Sequence, residues 1–235
     1  MQSKLLGICV LLLAAACQSV GPDPAHSSGR DCVFLQLKSG PRSASISKEE
    51  AQKVFEGHFA NMQRLAQEHK LLVAGPYGAP KRDPDLRGLF ILAPAEIAEA
   101  EALAATDPGV IAGVFRTECV RMRTRAPLDA YIEHELAIEA QAKAEGRVRA
   151  PGEGGRPYVV LTAEDGRRAR QALLGLDGVL LWGEFADGRA LAFLDAKDLD
   201  ACQTLLGDRA GRIGPYVLDP WFGSGELVKL PQMAR

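Results

Sequence analysis

The first half of the chain alternates short apolar runs with longer amphipathic stretches. Four runs have the length and apolar content of strands: 32–38, 71–75, 88–93 and 113–123. Between the first two runs, apolar residues recur at three- and four-residue intervals, which predicts a helix. Ser47 followed by Glu50 is a capping-box pattern that places the start of this helix. A second, Ala/Glu-rich helix is predicted over 95–105, so the element order is β-α-β-β-α-β.

The second half repeats this order. Strands are predicted over 158–163, 179–185, 189–195 and within 215–229, and helices over 166–176 and 199–206. Asp187-Gly188 is a typical tight turn between two strands. A shift of 101 residues also places Asp107 on Asp208 and Gly113 on Gly214 without a gap. These correspondences indicate an internal repeat of one βαββαβ unit.

The predicted fold class is therefore α+β, with two tandem ferredoxin-like (βαββαβ) units. One sheet face of each unit lacks helices, and packing the two sheets together would cover both as a barrel-type pseudo-dimer. We expect units at 31–125 and 158–235, joined by a helix and linker at 126–157. Whether the sheets pair within one chain or between two chains of a homodimer stays open.

The same topology leads to a prediction about cysteines. In the usual strand order of such a unit, the first and last strands are antiparallel neighbours. Cys32 begins the first strand and Cys119 lies near the end of the last. We therefore predict a Cys32–Cys119 disulfide, while Cys202 is expected to be a small buried apolar residue.

One polar residue interrupts the apolar face of the first helix. Val54, Phe55, Phe59, Met62, Leu65 and Ala66 share a face by their spacing, and His58 lies on that face. A titratable ring in this position either makes a structural hydrogen bond in the core or lines a pocket. Both interpretations remain open at this point.

The N-terminus resembles the signal of a bacterial lipoprotein. A basic start is followed by an apolar run, and small residues then precede Cys17. This resemblance implies a signal at 1–17, a lipid on Cys17, a flexible tether at 18–30 and a membrane anchor. Gln18 after the cysteine implies location at the periplasmic side of the outer membrane. Cleavage of an ordinary secretory signal is the alternative.

Composition excludes some classes of function. The 235 residues include 28 basic and 30 acidic ones, for a net charge of -2, so no basic surface for nucleic acid is expected. The histidines and cysteines show no zinc-ligand spacing, and no dinucleotide or P-loop motif occurs. We therefore expect no metal, no cofactor and no nucleic-acid partner.

Three motifs in the first half resemble the YciI-like (YCII-related) family. They are a helix bearing His58, the segment RLAQEHKLLVAGP at 64–76, and AATDPGVIAGVF at 104–115. The resemblance implies a dimeric α+β barrel fold and a histidine–aspartate pair, here His58 and Asp107, as the candidate catalytic residues. We place Gly75, Pro76 and Tyr77 in the candidate binding region. The second half has no histidine and no AGP motif, so the expected site is single.

Two functions of different classes follow. One is a cofactor-free proton-transfer enzyme, of isomerase or lyase type, acting on a small cyclic molecule through His58. Some members of the family are linked to dehydrochlorination of chlorinated hydroxyhydroquinones. The other is a non-catalytic envelope module that binds a ligand or a protein. Asp before Pro is also a frequent turn residue, so a structural role for Asp107 is the alternative to catalysis.

Overall fold

The computed structural model describes residues 29–233. The strands are β1 (Arg30–Ser39), β2 (Leu71–Pro76), β3 (Leu86–Leu92), β4 (Phe115–Thr124), β5 (Gly155–Ala163), β6 (Val179–Phe185), β7 (Ala190–Leu194) and β8 (Tyr216–Ser224). The helices are α1 (Lys48–Gln67), α2 (Ile97–Ala104), α3 (Pro108–Ile111), α4 (Leu128–Ala144), α5 (Gly166–Leu173), α6 (Leu199–Leu206), α7 (Ala210–Ile213) and α8 (Leu230–Met233). The predicted signal at 1–17, with Cys17, and most of the tether lie outside the described residues.

The eight strands form one antiparallel sheet in a mixed α+β fold. Their order is β2-β3-β1-β4-β6-β7-β5-β8. The first four and the last four follow the same internal order, since each half runs from its second strand through its third and first to its fourth. The predicted α+β class is therefore confirmed, while the origin of the two halves by duplication stays a prediction.

The two halves of the sheet contact each other in two places. In the middle of the sheet, Met122–Thr124 of β4 pair with Gly183–Phe185 of β6. At the outside, β2 and β8 meet through an antiparallel bridge between Tyr77 and Trp221. The sheet therefore curls until its two end strands touch, and all eight strands come from one chain.

A glycine permits this contact between the end strands. A Cβ atom on Gly75 would lie 2.1 Å from the Phe222 carbonyl oxygen and 2.5 Å from the Trp221 ring. The Trp221 indole Nε1 also donates to the Gly75 carbonyl oxygen at 2.9 Å. Only a residue without a side chain allows β8 to approach β2 this closely.

Side chains that alternate between the two faces of the sheet form three separate apolar clusters. One face of the curled sheet packs against itself, with Phe34, Tyr158, Phe193 and Trp221 at the centre. On the other face, α1 and α2 cover the first half through residues such as Leu35 and Leu65. The second-half helices cover an equivalent cluster that includes Leu161 and Cys202. Cys202 is thus a buried apolar residue, as predicted.

The predicted Cys32–Cys119 disulfide is wrong. Strands β1 and β4 are antiparallel neighbours as expected, but the register pairs Cys32 with Met122 and Leu35 with Cys119. Cys32 and Leu35 are three positions apart, an odd spacing, so Cys32 and the Cys119 that pairs with Leu35 have their thiols on opposite faces of the sheet. Within the described residues, Cys32, Cys119 and Cys202 are all free thiols. Burial raises the pKa of Cys32 to about 12.

The connecting segment forms α4 where the sequence predicts a helix, and it packs against β2, α1 and α8. Strand β5 begins at Gly155, two residues earlier than the predicted end of the linker. Among residues 29–233, no helix has the length and apolar content needed to cross a membrane.

Candidate functional site

The structure brings His58 and Asp107 together as a buried pair, called the dyad below. His58 Nδ1 lies 2.6 Å from Asp107 Oδ2. The exposed fraction is 7% for His58 and 2% for Asp107. An ionised carboxylate only accepts hydrogen bonds, so Nδ1 carries the proton of this contact and Nε2 is left for other chemistry.

Helix α1 presents His58 inward because of its spacing. The buried residues of the helix are Val54, His58, Asn61 and Leu65, which recur every three or four positions. The Ser47 side chain accepts from the Glu50 backbone N–H, as the capping-box pattern predicts. Phe55 and Phe59, predicted to share the buried face, are 41% and 42% exposed instead.

A glycine next to His58 brings α1 close to α3. A Cβ atom on Gly57 would lie 2.9 Å from Pro108 Cγ. Glycine in a helix interior costs up to about 1 kcal/mol relative to alanine. Gly57 is needed despite this cost, because it allows α1 to pack closely against Pro108, the residue after Asp107.

Asp107 has two roles at once. Its Oδ1 accepts from the Gly109 backbone N–H at 2.7 Å and so caps α3, while Oδ2 faces His58. A Cβ atom on Gly109 would lie 2.3 Å from Phe115 Cδ2 and 3.0 Å from Asp107 Oδ1. Asp107 therefore has a structural role as the cap of α3, and the cap fixes the carboxylate that contacts the histidine.

A second polar link ties α1 to the segment before Asp107. The Arg64 guanidinium donates to Asn61 Oδ1 at 2.8 Å and to Thr106 Oγ1 at 3.1 Å. Thr106 Oγ1 in turn donates to the Leu103 carbonyl oxygen at 2.7 Å. Because Thr106 immediately precedes Asp107, this link holds the aspartate at a fixed distance from the helix.

Four phenylalanines surround the His58 ring. Their ring centroids lie 5.2 Å (Phe115), 5.5 Å (Phe59), 6.0 Å (Phe90) and 6.4 Å (Phe55) from the imidazole. Within the described residues, Nε2 makes no hydrogen bond, and it is not among the polar atoms that are both unpaired and shut off from solvent. The nitrogen opposite Asp107 therefore retains access to solvent in apolar surroundings.

The predicted binding residues do not join the dyad. Tyr77 is buried beside Trp221, and its hydroxyl accepts from Gln36 Nε2 at 3.2 Å. Burial raises the pKa of Tyr77 well above its usual range. Gly75 is the contact point of the end strands, and the exposed Pro76 follows it. Tyr77 thus packs in the core beside Trp221 rather than beside His58.

Gly75 and Pro76 do line a cavity, called the seam cavity below. It has a volume of about 530 Å³ and lies between α1, α4, β2 and β8. Phe59 also lines it, whereas His58 does not. Phe59 thus stands between the cavity and the dyad, with its ring in contact with both.

Sequence reasoning missed several residues that position the dyad. Gly57, Asn61 and Thr106 act through packing or hydrogen bonds between distant segments, and Gly109 acts through its close approach to Phe115. A glycine inside a predicted helix was the one local signal for Gly57. In the described part of the chain, no cluster of three or more potential metal ligands occurs.

The first half of the chain is similar to a known domain family. Residues 34–124 match the sequence profile of the YCII-related domain. The chain contains a YCII-related domain. Both dyad residues, His58 and Asp107, lie inside the matched range, while α4 and the whole second half lie outside it.

One similar solved structure is a protein of Lactobacillus acidophilus described as a "putative monooxygenase". The superposition covers 82% of this chain and 93% of the other, at 6% sequence identity and a TM-score of 0.45. The comparison with curated proteins found no match.

Proposed function

We propose that the YCII-related domain is a cofactor-free proton-transfer catalyst in which His58 is the general base and acid. The observation that carries the proposal is the 2.6 Å contact between His58 Nδ1 and Asp107 Oδ2, with Nε2 unpaired. A carboxylate that holds one ring nitrogen as a donor leaves the other nitrogen able to accept a proton.

The chemistry needs only atoms that the dyad and the substrate supply. Nε2 takes a proton from a carbon adjacent to a carbonyl group, and the electron pair of the broken C–H bond forms an enolate. Returning the proton to another carbon completes an isomerisation. Expulsion of a leaving group such as chloride, with its bonding pair, completes an elimination. Neither route requires an oxidant or a reductant.

The surroundings favour a small cyclic substrate. Phe55 and Phe59 flank the histidine and are each about two-fifths exposed. Exposed aromatic rings beside a catalytic group can stack on a flat, apolar ring. The substrate class is therefore proposed to be a cyclic or aromatic molecule with an acidic C–H bond.

Deuterium exchange tests this proposal even when the product of the reaction is unknown. The protein is incubated in deuterium oxide with cyclic ketones, enol lactones and chlorinated hydroxyhydroquinones, and NMR follows loss of the acidic C–H signal. We expect faster exchange for at least one compound, and a decrease of about 100-fold or more with His58→Gln. His134→Gln is the matched control, because His134 Nε2 also contacts a carboxylate, Glu226 Oε2, at 2.5 Å outside the dyad.

Exchange that persists in His58→Gln, or that never exceeds the rate in buffer, would contradict the proposal. In the second case the alternative, a non-catalytic binding module, takes its place. The observation that favours this alternative is that His58 does not line the seam cavity. Ligand binding without turnover in the same panel would establish it.

We also propose that the protein is exported and anchored by a lipid on Cys17 at the periplasmic side of the outer membrane. Support comes from the charged, apolar and small-residue order that precedes this cysteine. Incorporation of a labelled fatty acid in cells, lost in Cys17→Ala, is the expected result. Unchanged labelling in the variant would contradict it.

A further inference from the structure

The seam cavity combines parts of both halves of the chain. One wall consists of α1 and β2, which lie inside the matched range at 34–124. The other walls are α4, the 148–155 segment and the end of β8, which lie outside that range. A site in this cavity is therefore a property of the whole chain and not of the YCII-related domain alone.

The cavity has a buried apolar floor and an exposed apolar edge. Leu72, Val73 and Ile132 line it and are 2%, 3% and 4% exposed, so they form the floor. Phe59 and Val148 also line it but are 42% and 94% exposed, so they form the edge. Large apolar side chains left exposed around a concave surface are typical of a ligand site. The volume of about 530 Å³ falls in the range of roughly 300–1,000 Å³ that is usual for small-molecule sites.

Three charged side chains of the cavity wall already have partners within the chain. The Arg149 guanidinium donates to the Glu153 carbonyl oxygen at 2.8 Å, and its Nη1 lies 3.9 Å from Glu139 Oε2. The Glu153 carboxylate accepts from the Ala150 backbone N–H at 3.0 Å. A charged group on a ligand would have to displace one of these partners.

Glu135 of α4, the remaining charged side chain of the wall among the described residues, is engaged as well. The Tyr131 hydroxyl hydrogen-bonds to its carboxylate, and burial, followed by the charge of Glu135, raises the pKa of Tyr131 well above its usual range. Glu135 Oε1 is shut off from solvent, so it does not face the open cavity. Transfer of an ion out of water is costly unless a free partner receives it, so these walls favour a ligand without charge.

We propose that the seam cavity binds a small neutral molecule with an apolar ring system, which packs on the buried floor and against the Phe59 ring. An aromatic face at the edge of the cavity favours a flat ring, because offset-stacked and edge-to-face contacts stabilise such pairs. A fused two-ring system of naphthalene size fits within the volume. The inference does not rest on the proton-transfer role of the dyad.

Calorimetric titration of the full chain with three matched probes tests the inference. The probes are 2-naphthylmethanol, 2-naphthylmethylamine and 2-naphthylacetate, which share the ring system and differ in charge. We expect the neutral alcohol to bind tightest. The cation and the anion should each bind at least about tenfold more weakly, because neither finds a free counter-charge in the cavity.

Two phenylalanines of α1 provide a matched pair of variants. Phe59 and Phe55 are 42% and 41% exposed, but Phe55 does not line the cavity. Phe59→Ala should weaken binding of the alcohol by about fivefold, and Phe55→Ala should leave it nearly unchanged. Independently of these variants, NMR should detect intermolecular NOEs between the naphthyl protons and the methyl groups of Ile132 and Val148.

Three results would overturn the inference. They are an ion that binds as tightly as the alcohol, no saturable binding of the alcohol, or a loss in Phe59→Ala no greater than that in Phe55→Ala. His58→Gln should leave binding of the alcohol intact, so failure of the dyad and failure of this site are distinguishable.

Discussion

The two halves of the sheet follow the same strand order but fasten their helices in different ways. In the first half, α1 has 20 residues and reaches α3 through His58 and Asp107. In the second half, α5 has 8 residues, and Arg168 reaches the α7 region by donating to the Arg212 carbonyl oxygen at 2.9 Å. One link consists of two buried ionisable groups, and the other of an exposed arginine on a backbone oxygen.

The two halves also differ in the burial of their corresponding aspartates, Asp107 and Asp208. Asp107 is buried and caps α3. Asp208, its counterpart by sequence shift, is exposed, and neither oxygen caps the helical segments beside it. A structural requirement common to both halves would hold both residues in the same way. The burial of Asp107 therefore accompanies the histidine, which is what a functional pair predicts.

The largest effect is expected from removing the two aspartates one at a time. Asp107→Ala leaves the buried His58 Nδ1 without a partner and removes the α3 cap, so the free energy of unfolding should fall by about 2–4 kcal/mol. Asp208→Ala removes an exposed side chain and should change it by less than about 0.5 kcal/mol. Urea denaturation measures both free energies of unfolding, and equal losses would contradict the expected difference between the two aspartates.

The glycines at the second position of α3 and α7 form another matched pair. A Cβ atom on Gly109 would meet Phe115 at 2.3 Å, whereas no atom lies within 4 Å of one on Gly211. Gly109→Ala should therefore cost about 1–3 kcal/mol through overpacking. Gly211→Ala should be neutral or stabilising by up to about 1 kcal/mol. Thermal unfolding of the two variants provides the measurement, and a stabilising Gly109→Ala would contradict the described packing.

A smaller effect is expected for the link in the second half. Arg168→Met removes the hydrogen bond to the Arg212 carbonyl oxygen at an exposed site. The loss in unfolding free energy should stay below about 1 kcal/mol, since water can replace the donor. A loss as large as that of Asp107→Ala, measured in the same urea series, would show that the two links are equivalent.

The smallest difference between the two halves is expected in how alkaline pH changes the free energy of unfolding through their buried cysteines. Burial raises the pKa of Cys119 in the first half and of Cys202 in the second half, each to about 11. The unfolded thiols lose protons first, near pH 9, so the folded state binds more protons between about pH 9 and pH 11 and stability falls as pH rises. Cys119→Ala and Cys202→Ala should reduce this slope by similar amounts in unfolding experiments across that range. A stability that rises above pH 9 would have the wrong sign for buried thiols.

Local patterns in the sequence predict the elements and much of their order. The alternation in β1, the cap at Ser47 and the tight turn at Gly188 all depend on neighbouring residues, and all occur as predicted. The prediction of the disulfide failed because it depends on the register of β1 against β4. The register decides which residues pair and which face each side chain occupies, and spacing along the chain does not specify it.

The candidate site was predictable to the same extent. The family motifs identify His58 and Asp107, but not that Asp107 divides its two oxygens between a helix cap and the histidine. Tyr77 directly follows the AGP motif in sequence. It packs beside Trp221 of β8 and not beside the dyad, because its position depends on how the end strands of the sheet meet. Gly57 acts through its contact with Pro108, which is too far along the chain for a local pattern to predict, and the role of Gly109 depends on how Phe115 packs against α3.

Asp107 is proposed to fix the His58 ring so that Nε2 can exchange protons with a substrate. Long-range proton–nitrogen NMR of the imidazole rings tests it most directly, with His58→Gln for assignment and Asp107→Asn as the perturbation. We expect a proton that stays on Nδ1 wherever the fold is intact, and loss of this Nδ1 preference in Asp107→Asn. A proton fixed on Nε2, with no response to Asp107→Asn, would contradict this role and make His58 a structural residue of the core.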